Sequence, residues 1–173
     1  MTMEIKTSDF PVDILTAHYR VYGELRILGH PTHYLNNETT TSVTVHDATL
    51  MPIRMGVRVG AMSVDKLNVP MNEPQLIIIG QLDRTETRPL PKAARMICFT
   101  DTYLVRGTFH MAAEARPHDV FYAAKGAFFL ATKLDIVTLY QVAVDVRTAA
   151  EMAYIRGSAV RAFFEEEDMH TTT

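Results

Sequence analysis

The sequence predicts an all-β chain made of two tandem repeats, on three observations. The pattern T-x-x-Y-x-V-x-G occurs twice, at 16–23 and at 100–107. Each copy runs on into alternating apolar residues, Leu25 and Ile27 in the first and Phe109 and Met111 in the second. The rest of the chain shows short period-two runs between turn residues and little helical periodicity, the signature of strands.

Taken in order, residues 1–9 read as a polar lead-in. Phe10, Val12 and Ile14 then share one side of a short strand, matched 84 residues later by Ala94, Met96 and Cys98. In the next strand Tyr19, Val21, Leu25 and Ile27 face one way and Arg20, Tyr22, Glu24 and Arg26 the other, as a half-buried strand requires. Gly23 and Gly107 fall in mid-strand, where glycine weakens pairing, so both predict a bulge or bend. A proline-containing turn follows, at His30-Pro31 and at Arg116-Pro117, and lengthens the offset to 86. The new offset holds through Val43, Val45 and Leu50 against Phe129, Ala131 and Ile136. Short strands are expected at 57–59 and 142–146, a loop insertion at 66–74, and a closing strand at 76–79 matched by 152–155.

These elements divide the chain into a first β repeat at 1–82, a polar, proline-bounded linker at 83–91, a second repeat at 92–164 and an acidic tail at 165–173. A bent strand, a loop, two further strands and a closing strand in about 80 residues suit a small four- to five-stranded barrel. The alternative is one β-sandwich built from the two repeats. With its Y-x-V-x-G strand, its turn near R-P-x-D and its F-x-x-x-x-x-x-I strand, the repeat resembles small uncharacterised bacterial β-barrel proteins related in outline to Sm/SH3-like folds. The first copy departs from that pattern, with His30 and His33 where the second has Arg116 and Asp119. The resemblance implies tandem small barrels and carries over no catalytic residues.

Composition narrows the classes. The 173 residues are 47% hydrophobic and 21% charged, ordinary for a globular chain. No apolar run approaches the ~18 residues of a membrane span, and the first residues lack the basic and apolar regions of a secretory signal. The single cysteine, Cys98, excludes an internal disulfide and points to the cytoplasm. Set between apolar neighbours, it reads as a core residue. The net charge of −3 includes four acidic residues at 165–168, leaving +1 elsewhere, which is not the footprint of a phosphate-binding protein.

No G-x-S-x-G elbow, phosphate loop or paired-carboxylate motif is present, so no catalytic residue and no cofactor is expected. Two alternative sites stand out. Arg20, Tyr22, Arg26 and Arg106 would form a small basic-aromatic face of the kind that binds nucleic acid in small barrels. His30, His33 and His46 are the strongest candidate metal ligands, zinc needing three or four converging donors. The remaining signal is surplus apolar character: 75–79 and 126–131 are apolar on both faces, so a second apolar side must meet the other repeat or another chain. The favoured expectation is a non-enzymatic assembly or interaction protein, a homo-oligomer or the binder of a protein partner.

Overall fold

The computed structural model describes residues 7–82, 89–122 and 127–169, Asp168 by its backbone only. The chain is all-β. Its strands are β1 (Ser8–Leu15), β2 (Tyr19–Ile27), β3 (Ser42–Pro52), β4 (Met62–Pro70) and β5 (Leu76–Ile79), then β6 (Lys92–Phe99), β7 (Tyr103–Met111), β8 (Phe128–Thr138), β9 (Ala149–Arg156) and β10 (Ala162–Glu165). One five-residue helix, α1 (Pro31–Leu35), follows β2. All ten strands join in one antiparallel sheet in the order β10-β6-β7-β8-β9-β5-β1-β2-β3-β4. The sheet is open, with β10 and β4 at its edges.

The order has an internal logic. Each repeat arranges its own strands as fifth, first, second, third, fourth, and the halves meet where β9, the fourth strand of the second, pairs with β5, the fifth strand of the first. The shared T-x-x-Y pattern makes the hairpin turns β1–β2 and β6–β7. Thr16 Oγ1 accepts from the backbone N–H of His18 and Tyr19 at 3.2 and 3.0 Å, and Thr100 Oγ1 does the same for Thr102 and Tyr103 at 3.3 and 2.9 Å. A short hydroxyl side chain thereby satisfies turn donors that the ladder leaves unpaired.

The mid-strand glycines mark bulges, as the pattern predicts. The register slips between Tyr22 and Glu24 against β3, and between Arg106 and Thr108 against β8. In each case the partner strand carries the extra residue, and Asp47 and Lys133, 86 apart, both adopt positive φ. A Cβ on Gly23 would lie 2.5 Å from His46 O and 2.7 Å from Val45 Cγ1, whereas one on Gly107 would meet nothing closer than 3.3 Å. Gly23→Ala is therefore expected to destabilise the protein by about 1–3 kcal/mol, and Gly107→Ala by less, in chemical denaturation.

Two cores form, one per repeat, and the strands at the joint serve both. Ile77 and Ile79 of β5 face a first core with Val12, Ile14, Val21, Leu25, Val43 and Val45. Leu76 and Ile78 face a second with Tyr103, Val105, Phe109, Ile136 and Ile155. β9 and β8 are divided in the same way: Tyr154 and Phe128 belong to the first core, Ala153, Ile155 and Ala131 to the second. The two-sided apolar runs thus meet the other repeat. Cys98 is fully buried in the second core, and burial pushes its thiol pKa up, so it is a packing residue.

Several boundaries differ from the sequence expectation. Residues 57–59 are not a strand, and 142–146 contribute one isolated bridge, between Arg54 and Val142. The fourth strand of the first repeat is β4, which takes in most of the expected loop at 66–74. As an edge strand exposed along most of its length, with Asp65, Lys66, Asn68 and Pro70, it lacks an apolar signature. The equivalent of 76–79 in the second half is β10, not 152–155, since β5 and β10 pair with β1 and β6 at matching positions. Glu165, expected in a tail, ends β10, and Glu166 is hydrogen-bonded to Arg95 and Arg106. Most of the expected linker, 83–88, and residues 170–173 lie outside the described residues.

Candidate interaction surface at the open sheet edges

The inner joint shows what holds one repeat to the next. Leu76 pairs with Ile155, Ile77 with Tyr154 and Ile78 with Ala153. Around this short ladder the Tyr103 hydroxyl donates to Thr16 O at 2.8 Å, and Thr100 Oγ1 donates to Gln75 Oε1 at 2.6 Å. Tyr154 Oη and Thr32 Oγ1 lie 2.7 Å apart. Asn36, at the end of α1, accepts from Phe128 N at 2.8 Å and donates to Phe128 O at 3.2 Å. Burial pushes the Tyr103 and Tyr154 phenols up, so both stay neutral hydrogen-bonding groups.

Beside the joint sits a buried carboxylate. Asp13 is 5% exposed and holds Arg20 through two bonds, Nε to Oδ1 at 2.8 Å and Nη2 to Oδ2 at 2.7 Å. Arg147 of the second repeat approaches Asp13 Oδ2 at 3.7 Å, and Arg20 Nη1 reaches Asp145 O at 3.0 Å. The ion pair thus also ties the first repeat to the 142–148 segment. Its signal in the sequence is faint: a lone aspartate in the apolar run Pro11 to Leu15.

The two outer edges repeat the two halves of that joint without a partner. β4 stands where β9 stands in the second repeat, and β10 where β5 stands in the first. Positions buried at the inner joint are uncovered here. Tyr103 is 0% exposed and Ile136 2%, while their counterparts Tyr19 and Leu50 are only half-buried. Leu15 and Ile78 are buried at 0% and 3%, while their counterparts Phe99 and Phe164 are partly exposed, their ring centroids 6.5 Å apart. The β3–β4 connection presents Met55, Val57 and Val59, and the start of β4 presents Met62 and Val64, all more than two-fifths exposed.

The basic-aromatic candidates do not form one face: Arg20 and Tyr22 meet, Arg106 lies in the other half, and each arginine is engaged. Arg20 is held by Asp13 and lies 5.4 Å from the Tyr22 ring centroid. Arg26 sits 3.0 Å from Asp47 and 3.8 Å from Asp9. Arg106, in the other repeat, pairs with Glu166, whose carboxyl is held below its ordinary range by that hydrogen bond and by Arg95. Each of these cations is offset by a carboxylate.

Of the metal candidates, His30 caps α1, its Nδ1 accepting from Thr32 N at 3.2 Å. His33 lies in α1 and His46 on β3 opposite Glu24 and Lys66. Among the described residues no three His, Cys, Asp or Glu side chains are placed to share a metal ion. No described helix is long and apolar enough to cross a membrane. Comparison with protein-family models, with curated proteins and with solved structures finds no match.

Proposed function

We propose that the protein is a non-enzymatic assembly protein whose open sheet edges associate with further protein. One observation carries this reading: both edges present strand backbone together with apolar side chains that, at the equivalent inner joint, are buried by a neighbouring repeat. We also infer that each five-strand unit is a small barrel of SH3/Sm-like outline. The strand order within each repeat, the bulge at each mid-strand glycine and the two cores, each built mainly from one repeat, support it. A nucleic-acid role draws less support, because Arg20, Arg26 and Arg106 are all paired with acidic groups.

Mass photometry and sedimentation velocity on the full chain test the reading. Particles of more than one chain at micromolar concentration are expected. A strict monomer up to tens of micromolar that also retains no protein partner in a pull-down would overturn it.

A further inference from the structure

We propose that the occupant of each open edge is the opposite edge of a second copy of this chain, β10 of one molecule pairing with β4 of the next in the register of the inner β5–β9 joint. This rests on the assembly reading above and specifies its partner and geometry. Transferring the inner register places Ala162 opposite Val69, Phe163 opposite Asn68 and Phe164 opposite Leu67. The contact is head-to-tail, so each molecule uses both edges and adds to a ring or a filament rather than a twofold dimer.

Three features that played no part in deriving this register agree with it. One residue beyond the three pairs, Glu165 falls opposite Lys66, where the inner joint has Ile79 and Met152. Opposite charges facing each other across strands stabilise a pairing, and neither residue forms an ion pair among the described residues. Next, Phe164 and Phe99 arrive over Leu67, Leu50 and Tyr19, the half-buried side chains at the rim of the first core. They occupy the place that Ile78 and Leu15 take over the second core. Finally, Tyr19, the counterpart of Tyr103, meets Thr100 O, the counterpart of the Thr16 O that accepts from Tyr103. The repeated T-x-x-Y pattern then supplies a turn within each repeat and a tyrosine bond between repeats, once inside the chain and once between chains.

The outer joint differs from the inner one in a way that sets its strength. Where Phe128, Leu130 and Tyr154 pack on the first core, the corresponding positions on β3 and β4 are Ser42, Thr44 and Asn68. Pro70 replaces Arg156, whose N–H donates to Gln75 O at 3.2 Å, so that bond has no outer equivalent. The contact between chains is therefore weaker than the one within the chain, and the assembly is reversible and concentration-dependent.

Charge reversal on the full chain tests the register, read by sedimentation velocity at low salt. Lys66→Glu and Glu165→Lys are each expected to raise the concentration for half-assembly by about 3–10-fold, and the double variant K66E/E165K to restore it. Restoration in the double variant cannot come from a folding defect. In parallel, variants K66C and E165C, each adding one cysteine to the buried Cys98, mixed and oxidised, should yield a disulfide-linked pair that neither gives alone. Assembly that persists with both reversals inert, or K66C linking to itself, overturns the head-to-tail register and leaves the assembly reading standing. A wild-type chain that stays monomeric overturns the pairing of copies, and one that also retains no protein partner in a pull-down overturns both.

Discussion

Asp13→Ala is expected to lower stability by about 3 kcal/mol, measured by chemical denaturation at neutral pH. The loss comes less from the attraction removed than from what is left behind. Arg20, with 20% of its side chain exposed, would lose both carboxylate bonds while remaining fixed over Tyr22 and against Asp145 O. A double variant, D13L/R20M, of similar volume and no charge, should recover most of the loss, since it leaves no unpaired ion in a partly desolvated place. If the single and double variants were equally unstable, the pair would contribute through packing alone. The alanine variant should also free the 142–148 segment, because Arg147 and Asp145 both meet this pair. Faster backbone hydrogen exchange at 142–148 would report that.

Ile78→Ala should cost a similar or larger amount, about 2–5 kcal/mol. The side chain is 3% exposed and belongs to the second core although it lies in the first repeat. A cavity at this point is expected to lower the midpoint of a single transition for the whole chain, and two separate transitions would contradict it. Its counterpart offers an internal comparison. Phe164 is partly exposed, so Phe164→Ala removes less buried surface and should cost the isolated chain about 1 kcal/mol or less, while weakening assembly. The same position would thus govern stability in one repeat and association in the other.

The recurring strand pattern was legible because local chemistry enforces it. Thr16 and Thr100 are tied to turn geometry, and Gly23 and Gly107 to bulges, so these residues recur at fixed spacing. The two-sided apolar strands were legible as well, since only burial on both faces gives a run such as Leu76 to Ile79. β4 leaves no strand signature in the sequence because an exposed edge strand needs no alternation of apolar residues. Matching 76–79 to 152–155 followed from hydropathy alone: β9 is apolar because it lies at the joint, while β10, the true counterpart, carries Ala162 and Glu165. The pairing of β9 with β5 left no local mark, since strand order is settled by contacts between residues far apart in sequence. Asp13 and Arg20, seven positions apart, were visible only as an ordinary pair of charges.

The sharing of β5 between two cores also bears on how the chain is made. Ile77 finds its strand partner, Tyr154, 77 residues later, which at ~5–20 residues per second of synthesis is a delay on the order of 4–15 s. During that interval the first repeat has its own β1 to hold β5, but Leu76 and Ile78 lack the residues of the second half, such as Tyr103, Val105 and Ile155, that complete their core. The nascent chain therefore passes through a stage with an apolar strand open along one edge, the kind of surface on which chaperones act and from which aggregates start. A neighbouring nascent or finished chain that reached β5 first would exchange its own β9 for the missing one. The fold thus carries a built-in competition between completing itself and swapping strands with its neighbours, decided by translation rate and local concentration.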